Sequence, residues 1–561
     1  MKTSVHDLLE KHFETAFAAP DGIAKLRELI LTLAMRGKLV PQDPNDPPAS
    51  ELLKEIEAEK QRLLKEGKIK KPRPLPPIKP EEVPYELPQG WEWVRLGDIG
   101  SWKSGSTPSR SNKSFYGGDI PWVKSGEVKQ GRIKSTEETI TQAALDKCPL
   151  QINKKGSVLV AMYGANIGDV GILEIEAATN QAVCACMTYT NIDENYLLYL
   201  ITSLKPYFLS QGAGAAQPNI SREKIVNTIS PLPPLPEQHR IVARIDQLMA
   251  RCDALETLRK AREEKRLAVH AAAIKQLLDA PDGAAWDFIQ QHFGELYTVK
   301  ENVTELRKAI LQLAVMGRLV PQDPNDPPAS ELLKEIEAEK QRLIKEGKIK
   351  KPKPLPPIKP EEVPYELPQG WEWVRLIEIG SWALGSGLPH TIQGDKGQEI
   401  LLCKVSDMNL PGNEKFIVTT NNTVSEKVAQ QNKLNISEPG TIIFPKIGGA
   451  IATNKRRILQ KKTVIDNNCL GITPASAMNL EWCYQLLLSF DFAKYQTGTS
   501  VPAISQGIIG EIIIGLPPAP EQHRIVVRID QLMGLCDKLE QQIDAATGKQ
   551  TELLKAVMAQ V

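Results

Sequence analysis

The chain is written twice, and no other property restricts its fold so much. Residues 37–96 return at 317–376, an offset of 280, with three differences: Lys38 becomes Arg318, Leu64 becomes Ile344 and Arg73 becomes Lys353. A second block, LPEQHRIVARIDQLMARCDALE from Leu235, returns as APEQHRIVVRIDQLMGLCDKLE from Ala519, at an offset of 284. The match reaches the N-terminal region, where His12-Phe13 corresponds to His292-Phe293. A chain of 561 residues is too long for one ordinary core, and the repetition divides it into two tandem units of about 280 residues.

Between the shared blocks lie segments 97–234 and 377–518, alike in length and mostly different in sequence. A residual pattern joins them. IPWVKSGE from Ile120 aligns with ILLCKVSD from Ile400, GSVLVAMYG from Gly156 with GTIIFPKIG from Gly440, and Gln217-PNIS with Val501-PAIS. One fold carrying two surfaces is what a protein needs to recognise two different things with the same geometry.

The apolar residues Ile241, Ile245, Leu248, Met249, Cys252, Leu255 and Leu258 form a seam at helical spacing, and Ile525, Ile529, Leu532, Met533, Cys536, Leu539 and Ile543 repeat it. Each seam predicts a long amphipathic helix, the first over 237–278 and roughly 60 Å long, more than one turn of DNA. The expected partner of each helix is the other one, packed antiparallel about a pseudo-two-fold axis through Ile241, Ile245, Leu248, Leu255, Ile525, Ile529, Leu532 and Leu539. Segment 50–67 reads as a charged, mostly solvated helix, with Ser50 as its N-cap and Gly67 as its stop. Seven prolines between Pro72 and Pro88 then predict an extended, semi-rigid strap. Inside 97–234 the short β-rich runs IPWVKSG, GSVLVAMYG and AVCACMTY precede the helical NYLLYLITSLKPYF, which makes the segment mixed α and β.

Composition narrows the function by exclusion. No apolar run approaches the roughly 20 residues that span a bilayer, and the opening MKTSVHDLLEKHF is charged where a signal peptide is apolar, so the expected location is the cytoplasm with no membrane contact. The eight cysteines contain no CxxC pair and read as buried free thiols, not as a disulfide framework or a zinc site. The formal charge of +1 gives no sign of the nucleic-acid binder that other features suggest.

Those features are the blocks PLPPLPEQHRIVARID and GLPPAPEQHRIVVRID, each closing a divergent segment and opening a long helix, with entry through GWEWVRL, GDIGSWKSGSTPSR and IPWVKSGE. Together they resemble the specificity subunit of type I restriction–modification systems, over essentially the whole chain. The resemblance implies an α+β fold: two target-recognition domains of mixed α/β type, joined by two long antiparallel helices in an internal pseudo-two-fold repeat. It implies a division into a helical segment with its strap at 1–87, the first recognition domain at 88–234, a long helix at 235–280, the repeated segment and strap at 281–367, the second recognition domain at 368–518 and the second long helix at 519–561. It further implies a two-part duplex DNA target and two modification subunits that carry S-adenosylmethionine and methylate adenine. Restriction subunits that translocate and cut complete the set, with ATP and magnesium also on the partners and no cofactor on this chain. The near-identical proline straps are longer than the resemblance leads one to expect.

Catalytic readings find little support. Asp46-Pro47-Pro48 and Asp326-Pro327-Pro328 resemble the turn of an adenine methyltransferase, but Ala49 and Ala329 stand where an aromatic residue would stack on the flipped base. Asp119 with Glu127-Val128-Lys129 loosely matches a metal-dependent nuclease, and Asp407-Met408-Asn409 breaks the match in the second unit. No GxxxxGK[ST] loop occurs, and His239 and His523 lack a nucleophile or carboxylate beside them. Catalytic and metal-binding residues are therefore expected to be absent. The competing classes are a stand-alone methyltransferase or nuclease, and a two-headed protein-binding adaptor that uses its straps.

Charge is instead local. Residues 103–134 carry a net +5 from Lys103, Arg110, Lys113, Lys124, Lys129, Arg132 and Lys134 against two acids, and 446–462 carry +6 from Lys446, Lys455, Arg456, Arg457, Lys461 and Lys462. With Lys404, these clusters mark the expected DNA contacts, and the glycine-rich runs Gly105–Arg110 and Lys446–Ala450 offer backbone that can approach phosphate or base edges. On this reading, replacing Lys455, Arg456 and Arg457 with alanine weakens DNA binding and flattens its salt dependence in filter binding, whereas an unchanged slope removes the assignment.

Overall fold

The computed structural model describes residues 15, 17–69, 74–212, 218–279, 284–349, 351, 354–498 and 501–559. Residues 12, 13 and 217, used above to align the repeats, and strap residues 70–73 lie outside them. The chain divides into two compact units, Met1–Arg262 with Ala546–Val561, and Glu263–Ala545. The units thus follow the repeats except at the tails of the long helices, each of which belongs to the other copy's unit.

Among the described residues, unit 1 carries α1 (Gly22–Met35) and α2 (Ala49–Lys65) ahead of its strands. Ser50, expected to cap α2, lies inside its first turn, and Pro48 is the N-cap residue at φ −65°. The Ala49 N–H donates to the Gly90 carbonyl at 2.8 Å, so the first turn has a backbone partner in place of a side-chain cap. Gly67 does end the helix, at φ +65°, while the Lys68 N–H returns to the Leu63 carbonyl at 2.9 Å. Only a residue without a Cβ adopts that left-handed turn freely.

The strap that follows is tied down. Arg95 donates from Nε to the Pro76 carbonyl at 2.7 Å and from Nη1 to the Asn227 carbonyl at 2.6 Å, and its Nη2 meets the Glu82 carboxylate at 3.2 Å. Tyr85 Oη donates to the Met35 carbonyl at 2.9 Å. The second copy repeats the arrangement, with Arg375 on the Pro356 and Glu511 carbonyls at 3.2 and 3.0 Å and Tyr365 on the Val315 carbonyl at 3.1 Å. The proline run therefore binds the base of its own unit.

The strands of unit 1, in chain order, are β1 (Glu92–Arg95), β2 (Gly100–Ser104), β3 (Tyr116–Val123), β4 (Gly131–Ile133), β5 (Glu138–Ile140), β6 (Val158–Ala161), β7 (Val170–Leu173), β8 (Ala178–Thr179), β9 (Val183–Thr188) and β10 (Ile229–Leu232), with helices α3 (Gln142–Lys147), α4 (Glu194–Gly212), α5 (Arg222–Asn227) and α6 (Leu235–Asp279) among and after them. β1 pairs antiparallel with β10, so the divergent segment leaves and rejoins the scaffold side by side. Within it stand a five-stranded sheet, β2-β9-β6-β7-β4, and a three-stranded sheet, β5-β3-β8. Side chains alternate as a strand requires. Val158, Val160, Cys184 and Cys186 face Tyr196, Leu197 and Leu200 of α4, whereas Leu159, Ala161, Val183 and Ala185 face Val123 and Val128 on the small sheet's side.

Unit 2 runs α7 (Ala284–Gln291), α8 (Phe293–Leu296), α9 (Lys300–Val315), α10 (Ala329–Lys345), β11 (Glu372–Arg375), β12 (Gly380–Leu384), β13 (Ile400–Cys403), β14 (Phe416–Ile417), β15 (Asn422–Val424), α11 (Glu426–Gln431), β16 (Ile436–Ser437), β17 (Ile442–Pro445), β18 (Arg457–Leu459), β19 (Thr463–Ile465), β20 (Cys469–Pro474), α12 (Leu480–Ser489), α13 (Gln506–Gly510), β21 (Ile513–Leu516) and α14 (Ala519–Ala559). Its sheets are β11-β21, β12-β20-β17-β18-β14 and β15-β13-β19-β16. The parallel pairs β4–β7 and β3–β8 reappear as β14–β18 and β13–β19. The divergent segments therefore share one fold, and β16 of the second has its counterpart in the first as the single antiparallel bridge Asn153–Ala177.

Each long helix is first bound to its own unit. Glu237, 1% exposed at the start of α6, accepts from Trp91 Nε1 at 2.9 Å and from Gln42 Nε2 at 3.1 Å, and Arg240 pairs with Asp46 at 2.7 Å. Gln238 donates to the Pro233 carbonyl at 3.0 Å and accepts from the Asp193 N–H at 3.0 Å. In unit 2, Glu521 takes Trp371 at 3.0 Å and Gln322 at 3.2 Å, and Arg524 takes Asp326 at 2.6 Å. Burial raises the carboxyls of Glu237 and Glu521 above the usual range, against the opposing pull of the indole and amide donors.

The seam follows the same logic. Ile241 and Ile245 are buried in the unit 1 core with Leu248 packed against it, and Ile525 and Ile529 are buried in the unit 2 core with Leu532 and Leu539 packed against it. Leu255, placed in the seam by its spacing, is 47% exposed. α6 spans 45 residues, against the 42 expected. Its tail contributes Ala273, Ile274 and Leu277 to the unit 2 core, while Leu554 and Val557 of α14 close a cluster with Phe17, Ala19 and Leu29 in unit 1.

Trp91→Phe keeps the ring in place and leaves a buried carboxylate oxygen without its donor. It is expected to lower the unfolding free energy by about 1–3 kcal/mol in urea denaturation, and Trp371→Phe is expected to match it; no change in either would remove the role assigned to the carboxylate.

Candidate nucleic-acid interface

The motif shared by the divergent segments, IPWVKSGE and ILLCKVSD, forms one strand and one tight turn in each unit. β3 leads into a 3₁₀ turn at Ser125–Gln130, and β13 into one at Val405–Asn409. Glu127, 4% exposed, accepts from the Lys124 N–H at 2.7 Å and the Glu137 N–H at 2.8 Å. Asp407 accepts from the Lys404 N–H at 2.8 Å and the Asn421 N–H at 3.1 Å. These carboxylates cap backbone, so Glu127 is occupied in its turn, while Asp119 stands on β3, outside that turn. The Asp-Pro-Pro turns are structural in the same way, since Asp46 and Asp326 hold arginines at the start of the long helices.

The other shared motif docks the glycine loops. The Gly164 N–H donates to the Pro218 carbonyl at 2.9 Å, and the Gly448 N–H to the Pro502 carbonyl at 2.7 Å. Lys446 sits beside that loop, half-buried, its N–H on the Asn468 carbonyl at 2.8 Å.

In unit 1, loop 105–115 leaves β2 pressed against the backbone. A Cβ on Gly105 would stand 2.2 Å from the Thr179 carbonyl oxygen, so only glycine fits there. Tyr116 Oη donates to the Pro108 carbonyl at 2.6 Å and Trp122 Nε1 to the Ser106 carbonyl at 3.2 Å, which fixes the loop. On it, Arg110 lies 4.6 Å from the Tyr116 ring centroid and 5.2 Å from that of Trp122, and meets Glu138 at 2.6 Å. Lys124 meets Glu137 at 2.8 Å and the same Glu138 at 3.1 Å. The Arg110 guanidinium, with Lys124 adding to it, holds the Glu138 carboxyl below its usual range.

Two acids just beyond the basic run thus reduce its net charge from +5 to +3 over residues 103–138. Arg132 binds Asn195 and approaches Glu174 at 4.0 Å, which ties it to the first turn of α4 and the end of β7. Lys103, Lys113 and Lys129 are exposed and have no acidic partner among the described residues. Lys103 stands on β2 and Arg132 on β4, the opposite edge strands of the five-stranded sheet.

In unit 2 the basic run divides by burial. Arg456, expected on the DNA surface, is 1% exposed. Its Nε donates to the Leu487 carbonyl at 3.2 Å and its Nη2 to Asn454 Oδ1 at 2.8 Å, and the guanidinium lies 3.9 Å from the Phe492 ring centroid. Burial pulls its pKa below the arginine value. It is a core cation that ties the left-handed Asn454 turn, at φ +48°, to the end of α12, and it does not meet solvent. Arg457 is half-buried, with Nη2 on the Met408 carbonyl at 3.1 Å and Nη1 on the Arg456 carbonyl at 2.7 Å. Lys455 binds Asn409, and Lys404 donates to Gln393 at 2.6 Å. Lys404, Lys455 and Arg457 therefore gather around the turn at Val405–Asn409, while Lys446 stands with the Pro502 loop.

Sequence reasoning missed the residues that carry the scaffold, Gln42, Trp91, Arg95 and Glu237 with their copies. The available signal was that the block at 37–96 and the EQHR block were copied together. All eight cysteines are free; seven are buried as expected and Cys148 is only partly so, and burial pushes Cys184 up to about 12. Among the described residues no cluster of His, Cys, Asp or Glu is placed to hold a metal ion, and no helix is long and apolar enough to cross a membrane.

Comparison with known proteins agrees with this architecture. Residues 88–264 and 368–546 both match the model of the type I restriction modification DNA specificity domain. The type I restriction enzyme EcoAI specificity subunit of Escherichia coli is 36% identical over 95% of this chain and 92% of its own length, and the EcoEI specificity subunit of the same species is 34% identical over 96% and 93%. The HsdS subunit of Thermoanaerobacter tengcongensis aligns structurally over 85% of this chain and 98% of that one, at 17% identity and a TM-score of 0.43. With one family domain in each unit and relatives matched along nearly their whole length, the chain belongs to the DNA specificity subunits of type I restriction–modification systems and carries two target-recognition domains.

Proposed function

We propose that this chain reads a two-part duplex DNA target, one recognition domain per half-site, and catalyses nothing itself. The long helices Leu235–Asp279 and Ala519–Ala559 serve as the spacer, and methylation and cleavage belong to partner modification and restriction subunits that bring S-adenosylmethionine, ATP and magnesium. The location that fits this reading is the cytoplasm, and no helix among the described residues is long and apolar enough to cross a membrane. The observation that carries the reading is that the two divergent segments keep the same strand order while their loops carry different side chains. The acids that could have supported chemistry are already occupied: Glu127 and Asp407 cap turns, and Asp46 and Asp326 hold arginines. The straps, bound through Arg95 and Arg375, are poor bait for a protein partner.

The test is incubation of the purified chain with duplex DNA, S-adenosylmethionine and magnesium. No methylation or cutting is expected until partner subunits are added, and either reaction by the chain alone would overturn the reading. Replacing Lys103, Lys113 and Lys129 with alanine is expected to reduce the slope of log affinity against log salt by about one for each phosphate that is no longer neutralised. Arg456→Ala is instead expected to lower thermal stability by several degrees, because it empties a buried site and leaves carbonyls unpaired, while the slope is unaltered.

A further inference from the structure

The two recognition domains differ most informatively at one register position. In unit 1, Trp122 on β3 stands opposite Glu138 on β5; in unit 2, Leu402 and Asn422 occupy the equivalent positions on β13 and β15. The loop that carries Arg110 has its counterpart between β12 and β13, residues 385–399, where His390 stands at the offset position of Arg110 and the one lysine, Lys396, at that of Tyr116. Lys124 and Lys404, by contrast, occupy the same place in both domains, each at the start of its capped turn. A residue shared by two readers of different half-sites carries no base information, whereas a constellation confined to one of them can.

That constellation has the properties of a base reader. The Arg110 side chain is 55% exposed, yet it rests against two aromatic rings and a carboxylate, so little side-chain freedom remains to be lost on binding. Its two terminal nitrogens face Glu138 at 2.6 and 3.3 Å. Nε and the outer N–H groups have no hydrogen-bond partner among the described residues, and they present a flat donor edge. Glu138 is also held by Lys124 at 3.1 Å, so the carboxylate keeps a cation if Arg110 turns toward DNA. A planar donor fork matches two adjacent acceptors in one plane, which in the major groove are guanine O6 and N7.

We infer that Arg110 is a base-reading residue of the first recognition domain, directed at a guanine in one half-site, with Tyr116, Trp122 and Glu138 as its positioning residues. This rests on the DNA-reading function proposed above. Lys124 stabilises Glu138 without contributing sequence preference.

The experiment selects duplexes from a randomised pool with the full-length chain, with its partner subunits where they co-purify. Wild type is compared with Arg110→Ala and Arg110→Lys. Wild type should enrich a two-part motif. Both variants should lose the preference at one guanine of one half-site, with affinity for the wild-type duplex falling on the order of ten- to a hundredfold. The other half-site should be enriched as before, which shows that the variants are folded. Arg110→Lys keeps the charge and lacks the fork, so loss there identifies base reading. If both variants enrich the wild-type motif, with only the salt slope reduced, Arg110 is a phosphate contact and the inference fails alone. If wild type enriches no motif, the proposed function fails and takes the inference with it.

Discussion

A buried carboxylate joins the parts of each unit. Glu237 lies between the Trp91 indole and the Gln42 amide, and Glu521 lies between Trp371 and Gln322. Neither acid could stay inside without donors on both oxygens, because an unpaired buried charge costs far more than one hydrogen bond returns. The arrangement therefore works as a registration device. It fixes the first turn of a long helix against the block that carries the strap, one residue away from where β1 begins. Since β1 pairs with β10, and β10 ends three residues before α6, the direction of the helix and the placement of the recognition domain are set together.

That coupling restricts which residues of the copied blocks can change separately. A change to Trp91, Gln42 or Glu237 alone strands a polar group, so the blocks at 37–96 and 235–256 are constrained jointly. Arg95 adds a second constraint, since its guanidinium spans the strap, the Glu82 carboxylate and the Asn227 carbonyl just before β10. One side chain thus holds the strap at two points and joins it to the chain just before β10. Beyond β1 and β10 such constraints are fewer. What the recognition domains must keep is the alternation of two apolar faces and a capped turn, which many sequences satisfy.

Much of this was legible from the residues. The duplication, the long helices, the β-rich runs, the left-handed stop at Gly67 and the buried thiols all depend on local pattern or on repetition, and sequence displays both directly. What failed to show depended on tertiary partners. Ser50 has the right chemistry for a cap, but the Gly90 carbonyl already serves the first turn of α2. The basic window closed at Lys134 and so excluded Glu137 and Glu138, the two acids that β5 brings back against Lys124. Leu255 continues the helical spacing past the point at which unit 1 has core left to offer it.

Arg456 shows most clearly why counting charges along a chain misplaces a binding surface. Three consecutive basic residues at 455–457 look like one patch, but their side chains differ in burial, with Arg456 1% exposed between two neighbours that are only half-buried. The middle one turns inward, where the Phe492 face and carbonyls from the end of α12 accept it. A guanidinium can be accommodated there because its charge is spread over a plane that stacks on an aromatic ring while its edge donates to carbonyls. A lysine in the same place would concentrate the charge at one poorly solvated point. The inward arginine thereby holds the turn from which Lys455 and Arg457 project toward the Val405–Asn409 segment. The same run of sequence supplies both the support of the surface and its charge, and only the fold separates the two.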